Sequence, residues 1–271
     1  MIETTPRRDR RARLVSLAWS GALGVLAGLL LFIVVLPLAG LLFTSTPRQL
    51  LMGLHDPLVW PAVRLSACTT MASLFLIVMC GTPLAWVVAR RRGRLWRVLE
   101  TLIEMPVVLP PAVAGVALLL AFGRRGLLGP ALARIGIGLP FSSAAVVLAE
   151  SFVAAPFYIQ AALVAFRRLD PNLILVARSL GASRPKIFFT IALPLSSAGL
   201  ASGAAMSWAR ALGEFGATLM FAGNLTGRTQ TLPLAIYTAL ESDLQTAQSL
   251  SIVLVAIAFA LLVAIRAGAR R

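Results

Sequence analysis

The sequence predicts an all-α protein, a polytopic transmembrane bundle of six helical spans. Three observations predict it. The chain is 59% hydrophobic and only 13% charged, where a soluble domain of this length carries about a quarter charged residues. Its apolar residues fall into six long runs. Its charges lie almost entirely between those runs.

A helix needs roughly 20 apolar residues to cross ~30 Å of hydrocarbon. Residues 14–43 are uncharged and give the first span. A basic stretch precedes it, but the run far exceeds the ~7–15 residues of a signal-peptide core. Residues 65–89 give the second span and 105–123 the third, both uncharged. Residues 142–166 carry only Glu150, and 187–223 carry only Arg210 and Glu214. Residues 244–265 are uncharged and close the set.

The basic residues orient the spans. Of the 25 Lys and Arg, 18 fall on the side of residues 7–13, 90–97, 167–186 and 266–271. Five, Arg48, Arg124, Arg125, Arg134 and Arg228, fall on the other. Arg64 and Arg210 lie in or near spans. An excess of Lys and Arg marks the cytoplasmic side, so both termini are expected there. The boundaries that follow are a basic cytoplasmic N-terminus at 1–13, one transmembrane domain at 14–267 and a cytoplasmic tail at 268–271.

The net charge of +15 could suggest nucleic acid, but no basic-aromatic motif accompanies it, and no nucleic-acid partner is expected. Membrane lipid is the expected surroundings. Cys68 and Cys80 are separated by ~18 Å of helix, too far for a disulfide. His55 is the only histidine and lies in an outer loop. No metal-ligand cluster, cofactor site or catalytic constellation is expected.

Between the fourth and fifth spans, residues 170–187 form a short polar elbow. Asp170-Pro171 is a helix start, with Asp able to cap free N–H groups and Pro suited to the first position. Leu173, Val176, Ala177 and Leu180 recur at helical spacing and make one apolar face. Gly181 supplies a left-handed stop. Ser183-Arg184-Pro185 then restarts a helix, and Leu193-Pro194 marks a break on entry to the bilayer. Physically, such a helix can insert into a groove on a partner or lie at the lipid headgroups. The fifth span is rich in small residues, including Gly199 and Gly203, which favour close helix packing.

Leu175-Val176-Ala177-Arg178-Ser179-Leu180-Gly181, followed after nine residues by Ile191-Ala192-Leu193-Pro194, resembles the coupling loop of ABC importer permeases, E-A-A-x3-G-x9-I-x-L-P. Leu175 stands where that family usually has Glu, and Val176 where it has Ala. Met105-Pro106-Val107-Val108-Leu109-Pro110-Pro111, Gly213-Glu214-Phe215-Gly216-Ala217-Thr218 and Thr229-Gln230-Thr231-Leu232-Pro233-Leu234-Ala235-Ile236-Tyr237 resemble the molybdate permease branch. Sulfate and tungstate permeases are close relatives.

The resemblance implies a type I ABC importer permease fold in the bacterial inner membrane and import of molybdate by alternating access. It implies ATPase coupling through Leu175, Val176, Ala177, Arg178, Leu180, Gly181 and Lys186. It also implies a homodimer, two copies of a cytoplasmic ATPase carrying ATP-Mg, and a periplasmic or lipid-anchored oxyanion-binding protein. No ATP site is expected on the chain itself: Gly223-Asn224-Leu225-Thr226-Gly227-Arg228 has three residues between its glycines, and a phosphate-binding loop needs four followed by Lys. A secondary transporter without an ATPase is the alternative of a different class; it would carry an inverted repeat and a titratable relay, and neither is evident.

Two groups are candidates for the pathway or its gate. Arg210 and Glu214 are spaced i,i+4 and can neutralise each other on one helix face; alone, each would cost ~2.5–3.5 kcal/mol at mid-bilayer. Asn224, Thr229, Gln230 and Thr231 in the outer segment offer hydrogen-bond donors to an oxyanion. A polar solvated loop is the competing reading of that segment.

Overall fold

The computed structural model describes residues 6–43 and 46–268; over them its regular structure is helical, joined by turns and loops, with no strand. The chain divides into two compact units, residues 1–50 and 51–271. The outermost parts of the predicted terminal arms, residues 1–5 and 269–271, lie outside the described residues.

The first unit contains α1 (Pro6–Phe43), whose apolar stretch Gly21–Phe43 is long enough to cross a membrane. A short helix, α2 (Pro47–Leu54), follows.

In the second unit, α3 (Val59–Ala89), α7 (Ser143–Arg167) and α13 (Leu244–Gly268) are single long helices. α7 starts where Ser142 Oγ accepts from the Ala145 N–H at 3.2 Å, the side-chain cap expected of Ser. α3 and α10 (Leu193–Leu212) both pack on α7. Tyr158, Phe166, Ala85 and Val88 are buried between them, and the Trp86 ring meets Phe166 edge-on at 5.2 Å. Gly203 lets α10 approach closely, since a Cβ there would stand 2.6 Å from Ala161 Cβ on α7.

The predicted third span is not one straight helix. α4 (Arg94–Val108) and α5 (Pro111–Phe122) meet at 118°. The break falls at Leu109-Pro110, where extended backbone precedes Pro111, because the residue before a proline is driven out of the helical region. Among the described residues, five helices are therefore long and apolar enough to cross, or six if the bent pair counts as one span. Between α5 and α7 lies a short α6 (Gly129–Arg134).

The fifth span also differs from expectation. The helix does not break at Leu193-Pro194; it runs from Arg184 to Leu212. α9 (Arg184–Ile187) passes through a π turn at Phe188–Ala192 into α10. Pro194 has no N–H to give, and the wider π turn just before it absorbs the disturbance in the ladder. Two short helices complete the unit. α11 (Gly216–Ala222) packs on α5 and α7, and α12 (Leu232–Ser242) packs on α13 and α3.

Candidate functional site

The elbow is built by local rules. Asp170 Oδ1 accepts from the Asn172 N–H at 2.9 Å and starts α8 (Pro171–Ser179). At the other end, the Gly181 N–H donates to Arg178 O and the Ala182 N–H to Ala177 O, both at 2.9 Å. This paired closure is the Schellman motif, and it requires a left-handed residue; Gly181 supplies it with φ of +82°. Ser183 Oγ then accepts from the Lys186 N–H and opens α9. Lys186 is exposed, and its carbonyl accepts from Thr190 Oγ1 at 2.6 Å.

Seven predicted coupling residues are thus gathered in one compact piece, but their faces differ. Ala177 and Ile174 are half-buried. Leu175, Val176 and Leu180 are exposed at 63%, 57% and 83%, and Leu173 joins them. Arg178 turns the other way, into a cavity it shares with the end of α3. The elbow therefore presents an apolar knob to its surroundings. An amphipathic helix with its apolar face outward has the form that can enter a groove on a partner or lie at the lipid headgroups.

The outer segment is a solvated loop only at its tip, where Leu225, Thr226, Gly227 and Arg228 are exposed. Thr229, Gln230 and Thr231 are buried. Thr229 Oγ1 accepts from the Leu225 N–H at 2.9 Å and donates to Gly223 O. Asn224 Nδ2 and Gln230 Nε2 both donate to Thr238 Oγ1, at 2.8 and 3.1 Å, and Thr238 donates to Leu234 O. Leu225 O receives the N–H groups of Arg228, Thr229 and Gln230. The segment is a knot bonded largely to itself and tied to α12 through Thr238. Two buried oxygens stand without partners there, Asn224 Oδ1 and Thr231 Oγ1.

Arg210 and Glu214 pair at 2.7 Å, but not on one helix face. α10 ends at Leu212, so Glu214 lies in the turn before α11. Its Oε1 accepts from the Ala217 N–H at 2.9 Å. The carboxylate thus caps α11 while neutralising Arg210, which places its negative charge at a helix N-terminus.

Sequence reasoning missed a third polar group. Glu150 on α7 is buried, with Oε1 2.9 Å from Thr69 Oγ1 and Oε2 2.6 Å from Ser73 Oγ on α3. Trp208 Nε1 donates to Thr70 Oγ1, and the Leu232 N–H to Ser66 Oγ. One polar stripe of α3 therefore ties α7, α10 and α12. The signal was present: a lone carboxylate in an apolar run, and Ser66, Thr69, Thr70 and Ser73 at three- and four-residue steps.

A bundle of apolar spans, one of them a bent pair, with an exposed apolar elbow between two others, marks the chain as a multi-pass membrane protein. The chain belongs to the family described as binding-protein-dependent transport system inner membrane component, which matches residues 81–269. It is 43% identical to the molybdenum transport system permease protein ModB of Mycobacterium tuberculosis over 246 residues, 86% of this chain and 91% of that one. It is 38% identical to ModB of Escherichia coli over 192 residues, 70% and 83% of the two chains. Among solved structures, a bacterial ABC transporter that imports the polysaccharide alginate shares the fold at 14% identity and a TM-score of 0.71, covering 97% of this chain and 99% of that one. The MetNI methionine ABC transporter does so at 19% identity and a TM-score of 0.59, covering 83% and 98%.

Proposed function

We propose that this permease imports molybdate across the bacterial cytoplasmic membrane by alternating access. The observation that carries the reading is the exposed apolar elbow at Leu175, Val176 and Leu180, in a chain whose relatives of 43% identity are named as molybdenum permeases. Two such chains pair, and the elbow of each seats in one of two cytoplasmic ATPase subunits. ATP-Mg bound by those subunits closes them, draws the elbows together and turns the spans outward. A periplasmic or lipid-anchored oxyanion-binding protein delivers the cargo, and hydrolysis resets the pathway. Both termini face the cytoplasm.

Within this cycle Arg210 and Glu214, with Asn224, Thr229, Gln230 and Thr231, form the outer closure. Because most of their polar atoms are already bonded to the protein, they hold the gate's shape. The ion pair also keeps a bare carboxylate from repelling an anion.

The test is uptake into proteoliposomes holding this chain, the ATPase and the binding protein. Labelled molybdate accumulates only with ATP and all three components, and excess tungstate or sulfate measures cargo preference. Accumulation without the ATPase defeats the reading. Sulfate outcompeting molybdate leaves the machine and changes the cargo. Orientation is read separately with S179C and T226C in a chain lacking Cys68 and Cys80: S179C reacts with an impermeant thiol reagent only from inside, T226C only from outside.

A further inference from the structure

The end of α3, the start of α4, the end of α7 and the elbow helix α8 enclose a cavity of about 990 Å³. Arg90, Arg91, Arg92, Arg97, Arg167 and Arg178 line it. Its one acidic wall residue, Glu100, is already held by Arg167 at 2.5 Å. A second cavity of about 400 Å³ lies on the other side of Arg90, Arg91 and Arg178 and adds Arg184. Among the described residues, no acid pairs with Arg90, Arg91, Arg92, Arg97 or Arg178.

Like charges gathered this way repel one another. Burial and then the neighbouring Arg178 charge hold the Arg90 guanidinium below its ordinary range. The arginines are nonetheless placed with care. Arg90 lies over the Trp86 ring at 3.7 Å and Arg91 over Trp96 at 5.6 Å. Stacking on an indole orients a guanidinium and leaves its N–H edge free. Every cation in the wall is Arg, whose planar fork grips two oxygens of one anion where Lys offers a point charge.

We infer that this basin is a binding site for a tetrahedral oxyanion, gripped between Arg90 and Arg91 at the end of α3 and Arg178 on the elbow. The chemistry fits two sources: a phosphate group of a net-anionic phospholipid, reached because the arginines directly follow the end of a span, or a free oxyanion from the aqueous side. In either case the ligand neutralises the repulsion and braces the elbow against the bundle. That bracing would make drive through the elbow respond to lipid or anion, and this consequence rests on the proposed coupling role. Binding itself does not depend on that role.

The experiment uses the full chain in nanodiscs of phosphatidylcholine, reading thermal unfolding and tryptophan fluorescence. One arm titrates inorganic phosphate and then molybdate; the other raises the fraction of phosphatidylglycerol. The expected result is a saturable rise in unfolding temperature, with altered emission from Trp86 and Trp96, in one arm. R90Q/R178Q loses it or needs at least about tenfold more ligand. R124Q/R125Q removes as much charge elsewhere and responds as wild type. Response in the first arm identifies a free oxyanion, in the second a lipid headgroup. R90K/R178K keeps the charge without the fork and should respond weakly, which carries the test if R90Q/R178Q fails to fold. No response in either arm overturns the proposal. So does an equal response in R90Q/R178Q.

Discussion

Glu150 on α7 and Ser73 on α3 meet at 2.6 Å inside the bundle, with Thr69 Oγ1 on the carboxyl's other oxygen. No cation pairs with Glu150 among the described residues, so two hydroxyls alone satisfy it. S73A leaves one buried carboxyl oxygen unsatisfied, a loss of about 1–3 kcal/mol. E150A removes the group and opens a gap. Residues in direct contact couple, so S73A/E150A should cost less than the two single changes added together. Reversible unfolding in detergent completes the cycle, and strict additivity would show that the contact holds nothing.

α10 lies close against α7 at Gly203, where an added Cβ would overlap Ala161 Cβ. G203A should destabilise by about 1–3 kcal/mol, the usual range for overpacking. A161G removes the opposing methyl, so A161G/G203A should recover most of that loss. Unfolding temperatures of the three variants decide it. A double variant as unstable as G203A would place the clash elsewhere.

The spans and the elbow were legible because each writes a local signal. Long apolar runs survive any tertiary context, and Asp170, Gly181 and Ser183 act through their own neighbours. What escaped depends on partners distant in sequence. Residues 105–123 read as one span because they lack charge, although Pro110-Pro111 carried the break; charged residues at 94, 97, 100 and 104 hid the helical start of α4. Thr229, Gln230 and Thr231 read either as gate donors or as a solvated loop, because polar side chains are usually exposed. Only the fold shows that the backbone of Gly223 and Leu225 and the side chain of Thr238 satisfy their polar neighbours. Arg210 and Glu214 kept their predicted partnership but not their shared helix, since the chain turns at Gly213.

That turn separates the two partners energetically. Glu214 is almost wholly buried, whereas Arg210 keeps about a third of its side chain accessible. Removing Arg210 leaves a buried carboxylate with only the Ala217 N–H. R210A should therefore cost about 3 kcal/mol or somewhat less, given the partial exposure of the arginine. E214Q keeps a carbonyl oxygen for the Ala217 N–H and should cost less. R210A/E214Q should be milder than R210A alone, because the uncompensated charge is gone. Unfolding of the three in one detergent tests the ordering, and E214Q proving the worst would reverse the assignment.

Gly181 allows stability to be tested apart from the proposed coupling. Its φ of +82° closes α8, and nothing lies within 4 Å of the position a Cβ would take. Any penalty for a side chain there is conformational, roughly 1–2 kcal/mol for Ala in a left-handed site and less for Asn, which tolerates that region. The elbow is exposed and contributes little core, so G181A can meet this strain by reorienting α8 without unfolding the bundle. The expected outcome is an unfolding temperature close to wild type with molybdate uptake reduced per ATP hydrolysed, and G181N in between. Uptake and phosphate release from the same proteoliposomes supply the ratio. Full uptake by G181A, with its unfolding temperature unchanged, would show that the angle of the elbow does not set transmission.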